Sequence, residues 1–273
     1  TGLYNTVMGH EALTNAQTGV SFCTAIGYRA GYKLGDDGGS DHSEYNTAIG
    51  YKAMGGGHDT VASNTASSNT AMGYESLGGA TGTSVAVTST NCVAIGHQAM
   101  TVASTGSNNV GVGSGSLAAI TTGNNNCVIG QSAAPAITDG HDNVIIGREA
   151  GYATTSVGNS VIIGNAAGQA NMTSAADGTI AIGNSALTAL TSGIGNVAIG
   201  FQAMDANQTS DYNTAVGTSA LGALTNDGDT GNTAVGWNAG LSVTSGVNNT
   251  LIGTVAGDGF DAERDNTFVG YAS

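Results

Sequence analysis

The chain has few of the side chains that build an ordinary globular core or an electrostatic binding surface. Its 273 residues include one Pro, one Trp and four Phe, and charged residues make up 9%. This scarcity excludes a core of packed aromatic residues, and the near absence of Pro excludes collagen. Five Lys and Arg stand against 19 Asp and Glu, which gives a net charge of −14. So few cations argue against nucleic acid and against an anionic membrane surface as partners.

Cysteine and long apolar runs are also scarce. No apolar stretch approaches the roughly 20 residues needed to span a bilayer, so we expect no membrane insertion. The three cysteines, Cys23, Cys92 and Cys127, have neither metal-binding nor redox spacing. We therefore expect them to act as small buried hydrophobic residues.

Glycine is abundant, with 45 residues, and it marks a repeat that runs through the chain. Each copy ends in Ile, Val or Met followed by an anchor glycine, and in 11 of 15 copies Asn stands four residues before that glycine. Eight of the fourteen intervals between successive anchors have the same length, that of the step from Gly96 to Gly113. The anchors are Gly9, Gly27, Gly50, Gly73, Gly96, Gly113, Gly130, Gly147, Gly164, Gly183, Gly200, Gly217, Gly236, Gly253 and Gly270.

The repeat predicts an all-β fold, a parallel β-solenoid of 15 repeats that forms one repeat domain over residues 1–273. The branched residues favour a short strand, and the glycine permits a corner after it. Stacked copies place like residues in ladders, including an Asn ladder with hydrogen bonds between amides. Asn also tolerates a left-handed backbone at a bend, and we expect both causes to act. Representative ladder residues are Asn46, Ile49, Gly50, Asn143, Ile146, Gly147, Asn232, Val235 and Gly236.

Both faces of the predicted strand are apolar, which indicates that both are covered. We expect the Ile and Val column to fill the coil, as in Ile49. The opposite face, which carries Ala48 and its equivalents, would then need another cover. Two neighbouring chains of a trimer would supply it, and a wider monomeric coil is the alternative.

The segment Asn-Thr-Ala-Ile-Gly-x-x-Ala at residues 46–53 resembles the head repeat of trimeric autotransporter adhesins. The Thr-Thr-Gly return at residues 121–127 is similar to repeats of phage tail-fibre proteins. The resemblance implies a left-handed β-roll with three chains packed side by side. It also implies a non-enzymatic fibre or shaft, at an extracellular or virion surface, that presents a rigid repetitive surface for attachment.

Two other functions remain open at this point. The chain ends without atypical capping repeats, which favours a segment of a longer fibre or a subunit that stacks end to end into a filament. A column of Thr residues also makes an ice-binding solenoid a candidate. We rank that function lower because the column is expected on a buried face.

A candidate ligand surface follows the anchor glycines. Tyr28, Tyr51, Tyr74 and His97 each stand directly after an anchor, so we expect a strip of rings. Such a strip is suited to a cell-surface glycan. The alternative, which we rank first, is that the rings only stabilise neighbouring strands.

The longer repeats over residues 28–96 predict a lateral lobe, because their extra residues occur in consecutive copies. The lobe would add Asp36, Asp37, Asp41 and His58 to the ligand surface, while harmless variation in loop length is the alternative. Calcium is a candidate cofactor, because oxygen ligands are clustered at Asp36, Asp37 and Asp41 and again in the segment 227–232. We rank a solvated acidic turn above calcium, and we expect neither catalytic residues nor another cofactor.

Overall fold

In the computed structural model of the chain, each copy of the repeat forms one short strand that ends just before its anchor glycine. The structure describes residues 3–14, 19–35, 43–55, 64–78 and 87–273. The strands are β1 (Thr6–Met8), β2 (Thr24–Ile26), β3 (Thr47–Ile49), β4 (Thr70–Met72), β5 (Val93–Ile95), β6 (Val110–Val112), β7 (Cys127–Ile129), β8 (Val144–Ile146), β9 (Val161–Ile163), β10 (Ile180–Ile182), β11 (Val197–Ile199), β12 (Ser210–Asp211), β13 (Thr214–Val216), β14 (Gly228–Asp229), β15 (Thr233–Val235), β16 (Thr250–Ile252) and β17 (Thr267–Val269).

The chain divides into two compact units, Thr1–His141 and Asp142–Ser273. In the first unit, β1 to β7 form a parallel sheet in chain order. In the second unit, β8 to β11, β13 and β15 to β17 do the same, while β12 pairs with β14. The all-β parallel solenoid is therefore confirmed in each unit. Among the described residues, the 3-10 turn Ser174–Ala176 is the one helical element, and no helix there could cross a membrane.

The register places every repeat position beside its own equivalent. Thr24 lies opposite Thr47, and Ile26 lies opposite Ile49. The same pairing continues in the second unit, where Thr233 lies opposite Thr250. Like side chains therefore form columns along each sheet, as the repeat predicted.

The anchor glycines are required by both conformation and space. Their φ angles lie between +129° and +146°, which residues with a Cβ rarely adopt. A Cβ on Gly50 would lie 2.5 Å from the carbonyl oxygen of Gly73 in the next coil. Gly147 and Gly236 have the same conformation and the same backbone neighbour, the next anchor. The predicted corner is confirmed, and the close approach explains why no larger residue occurs there.

Tight turns follow the anchors, and the coil after Gly217 illustrates them with two. The N–H of Ala220 donates to the Gly217 carbonyl at 3.3 Å, and the N–H of Gly222 donates to the Ser219 carbonyl at 3.2 Å. Ser219 and Leu221, the third residues of these turns, have φ of +52° and +49°. Turns with this geometry require a positive φ at the third residue. The coil therefore holds residues other than glycine in the left-handed region.

The interior of each coil is narrow and is filled by small and branched residues. In the coil around Gly217, Ala215, Ala220, Leu221 and Leu224 have no exposed surface. Ala or Ser stands three residues after every anchor because this position packs inside the coil.

The Asn column forms a hydrogen-bonded ladder inside the coils. Nδ2 of Asn213 donates to Oδ1 of Asn196 at 3.2 Å, and Nδ2 of Asn232 donates to Oδ1 of Asn213 at 3.3 Å. The N–H of Asn232 also donates to Oδ1 of Asn213 at 2.9 Å. Asn46 and Asn143 are buried in the same column. The amide ladder is thus confirmed, and it satisfies polar groups that would otherwise be orphaned.

The left-handed backbone falls one residue before the Asn column. Tyr45 has φ of +59° and Asn125 also has φ of +59°, whereas Asn46 and Asn126 do not occur among the residues with positive φ. The interpretation that the column Asn itself adopts this conformation was wrong. The recurrence of Asn in this column follows from the amide ladder instead.

Candidate functional site

The outward face of each sheet is the opposite of the one that the sequence indicated. Ala48 is 1% exposed and faces into the coil, while Thr47 and Ile49 on either side of it are half-buried. Ile146 and Val235 likewise belong to the outward column, and Val235 is 36% exposed. The expectation that the Ile and Val column fills the coil was wrong. The central residue of each strand faces inward whether it is Ala48 or the larger Ile145 and Ile162, which are fully buried, and the alternation of side chains along a strand then places its two neighbours outward.

This outward face carries two central columns without any charged side chain. The column three residues before the anchors contains Thr, Val, Ile and Cys, and the column just before them contains Ile, Val and Met. Exposure is substantial in both units, with Met72 at 39%, Ile129 at 40% and Ile252 at 39%. We call this surface the sheet face. It consists of the two central columns and of two bordering columns, which lie five residues before and one residue after each anchor. An ordered apolar surface of this kind is typical of an interaction site.

One border of the sheet face is a column of stacked rings in the first unit. His10, Tyr28, Tyr51, Tyr74 and His97 follow successive anchors. Their ring centroids lie 5.6 Å apart at the first step and 5.1 Å apart at the next three, with interplanar angles between 5° and 20°. The structure thus brings together the rings of Tyr28, Tyr51, Tyr74 and His97, and His10 stacks at the start of the same predicted strip.

The stacking limits what this ring column offers to a ligand. Each inner ring has a neighbour against both faces, so its edge forms the accessible part. Tyr51 and Tyr74 are nevertheless 42% and 43% exposed. A sugar that packs on an aromatic residue needs a free ring face, and the inner rings do not present one. The arrangement favours stabilisation between neighbouring strands, and the glycan remains a prediction.

The second border carries an aromatic column that was not predicted from the sequence. Tyr4, Phe22 and Tyr45 stack with centroids 5.2 Å and 5.1 Å apart. All three have positive φ and are exposed. Each stands five residues before one of the first three anchors, so aligning the repeats and comparing the residues at that position would have revealed them. Further along, this border continues as amides, with Nδ2 of Asn91 donating to Asn108 at 3.2 Å.

Cations accompany the ring column on its outer side. The Arg29 guanidinium lies 5.4 Å from the Tyr28 ring centre and pairs with Glu11, and the Lys52 ammonium lies 5.5 Å from the Tyr51 ring centre. These contacts are cation–π interactions. Desolvation raises the pKa of Tyr74, and the neighbouring Glu75 carboxylate adds to that increase. The column is therefore flanked by side chains of both charges.

The acidic part of the predicted ligand surface is not covered by the structure. Asp36, Asp37, Asp41 and His58 lie outside the described residues. Over the ranges that the structure describes, no group of three or more His, Cys, Asp or Glu side chains could hold a metal ion. In the segment 227–232, the Asp227 carboxylate accepts a hydrogen bond from the Thr209 hydroxyl. Calcium at this segment remains a prediction.

Comparison with known proteins adds no identity to this geometry. No family model, curated protein or solved structure matches the chain.

Proposed function

We propose that this chain is a non-enzymatic structural fibre or shaft protein, of the kind found in phage tail fibres and surface adhesins. It would work at an extracellular or virion surface by presenting a rigid repetitive surface for attachment. The regular register of the strands supports this role, because each coil in a stack of like coils packs against its neighbours and is stabilised by them. Nearly every repeat position serves the ladders, which leaves little of the described chain for catalysis.

The sheet face is the observation that carries the proposal, and copies of the same chain are its proposed partner. In the first unit it is six residue steps wide and seven strands long, which is about 20 Å by 29 Å, or roughly 600 Å². A standard protein interface buries about 800 Å² on each partner. The sheet face has this scale, it is apolar in its centre, and its two central columns lack charge in a chain of net charge −14. Three copies around a common axis would cover it.

The reactivity of the native cysteines tests whether other chains cover the sheet face. Cys127 lies in β7 on the sheet face and is half-buried, whereas Cys23 and Cys92 are buried inside their coils. We expect light scattering to give the mass of three chains and a thiol reagent to modify no cysteine at micromolar concentration. A monomer whose Cys127 reacts at once would contradict self-association. Rods that lengthen with concentration in electron micrographs would favour the end-to-end filament instead.

A matched pair of variants separates the sheet face from the rest of the surface. Ile199 is 37% exposed in the column before the anchors, and Thr225 is exposed on the return segment of the same unit. Ile199→Lys places a charge in the apolar centre of the interface and is expected to release monomers. Thr225→Lys adds the same charge elsewhere and is expected to leave the mass unchanged. Equal behaviour of the two variants would exclude this face.

Ice binding gains support from one finding and is the second candidate. The Thr column was expected on a buried face, but Thr24, Thr47 and Thr70 are outward and half-buried. A flat outward row of hydroxyl and methyl groups is suited to ordered water. Thermal hysteresis measured on monomeric Ile199→Lys and on the unmodified chain tests this function, and its absence in both excludes it.

A further inference from the structure

We propose that Tyr28, Tyr51 and Tyr74 form a site of oxidative cross-linking. A one-electron oxidant, supplied as a haem peroxidase with hydrogen peroxide, would join neighbouring rings into dityrosine. The link would tie one coil covalently to the next. The ring column is a border of the sheet face, so the reaction goes beyond the proposed function but requires that assembly leave the ring edges open to the oxidant.

The geometry holds the reacting rings side by side before any chemistry occurs. The centroids of Tyr28 and Tyr51 lie 5.1 Å apart at 20°, and those of Tyr51 and Tyr74 lie 5.1 Å apart at 5°. Reacting groups fixed beside each other react as if they were present at very high concentration. Coupling within the column is therefore expected to outrun coupling between separate chains.

The backbone fixes this arrangement on both sides of each ring. The Tyr28 carbonyl accepts the N–H of Lys52 at 2.8 Å, and the Tyr51 carbonyl accepts the N–H of Glu75 at 2.9 Å. On the other side, the N–H of Gly50 donates to Ile26 at 2.8 Å. These ladder bonds hold the backbone of the three tyrosines in adjacent coils, so their rings start from equivalent positions one coil apart.

The rings are also accessible to an oxidant. Tyr51 and Tyr74 are 42% and 43% exposed, and Tyr28 is half-buried. Their faces are covered by one another, so the exposed area belongs to the ring edges. The carbon atoms beside the phenolic oxygen, which form the new bond, lie on those edges.

The reaction balances with peroxide as the oxidant. Each of two tyrosines loses one electron and its phenolic proton, which gives two phenoxyl radicals. The radicals couple through carbons beside their oxygens, and each coupled carbon passes its hydrogen back to an oxygen as a proton. Hydrogen peroxide takes up the two electrons and two protons and leaves as two water molecules.

The link would strengthen the stretch of the first unit with the longest repeats. The anchors before Tyr28, Tyr51 and Tyr74 are more widely spaced than the anchors in most of the chain. A covalent bond between adjacent coils closes these long segments and restricts the unfolded chain. The cross-linked protein is therefore expected to melt at a higher temperature.

The experiment treats the dilute intact chain with peroxidase and hydrogen peroxide. The expected products show dityrosine fluorescence, a mass lower by two hydrogen atoms, and migration as a single chain on a denaturing gel. Peptide mapping should join the Tyr51 peptide to that of Tyr28 or Tyr74. Oxidation of the exposed Met72 competes, but it adds an oxygen atom and is distinguished by mass.

A pair of tyrosine variants decides the assignment. Tyr51→Phe keeps a stacking ring but removes the central phenol, so the dityrosine yield should fall at least about tenfold. Tyr152→Phe removes an equally exposed phenol outside the column, 47% exposed, and should leave the yield unchanged. The thermal midpoint should rise after oxidation in the unmodified chain and not in Tyr51→Phe. Links between separate chains, an unchanged yield in Tyr51→Phe, or oxidised Met72 without dityrosine would each overturn the proposal.

Discussion

The requirement for glycine at the anchors leads to a graded stability experiment, and Gly200 is its central position. Its φ is +141°, and a Cβ there would lie 2.6 Å from the carbonyl carbon of Gly217. The conformation alone costs a residue with a Cβ about 1–3 kcal/mol. The clash adds to this cost because its partner is backbone, which cannot rotate away.

The weakening of a neighbouring hydrogen bond sets the free-energy cost of the clash. The Gly217 carbonyl accepts the N–H of Ala220 at 3.3 Å, so moving this peptide weakens a turn bond that is worth about 1 kcal/mol. We therefore expect Gly200→Ala to lower the free energy of unfolding by about 3 kcal/mol, the sum of conformational strain and the weakened bond. Urea unfolding followed by circular dichroism measures this change.

Two other glycines in the same unit separate the causes. Gly178 has φ of +75° with no atom near a built Cβ, so Gly178→Ala should cost about 1 kcal/mol. Gly259 has neither a positive φ nor a close neighbour, so Gly259→Ala should be neutral or stabilise by about 0.5 kcal/mol. Equal losses for the Gly200 and Gly178 variants would refute the reasoning, because the approach of the next coil would then contribute nothing.

Three further predictions use the same denaturation assay. Ala166 has φ of +53°, so Ala166→Gly should stabilise by about 0.5 kcal/mol, whereas Ala153→Gly, at an ordinary φ, should destabilise by about that amount. Asn213→Ala breaks the buried ladder and should cost about 2–3 kcal/mol; a smaller cost than an exposed Asn→Ala change would contradict the ladder. Burial raises the pKa of the Cys23 and Cys92 thiols. Stability from this source is full below the unfolded thiol pKa of about 8.5 and is lost as pH rises above it, and the double Ala variant should lack this slope.

The repeat and its anchor glycines could be predicted from the sequence, because the packing that requires them recurs in every coil. Each anchor faces the next anchor, so the same restriction recurs at every copy and appears as a column without exception. The amide ladder was readable for the same reason.

The direction of the two strand faces was not readable from apolarity, because both faces are apolar. Side-chain size does not separate them either, because the inward column carries Ala48 in one strand and Ile145 or Ile162 in others, all of them buried. The direction depends on how the coil closes, which the three-residue strand pattern does not contain. The second ring column was missed because Tyr4, Phe22 and Tyr45 stand outside the apolar strand triplet and looked like turn residues.

The in-register pairing of the coils also makes chain length an adjustable property. Residues 184–200 make up one whole copy, so their removal would bring Phe201 directly behind Gly183, in the place of the equivalent Asn184. Every column would remain continuous across the junction. Gain or loss of whole copies therefore changes the reach of that unit while its cross-section stays the same, whereas an insertion within a strand would misalign each ladder that passes through it.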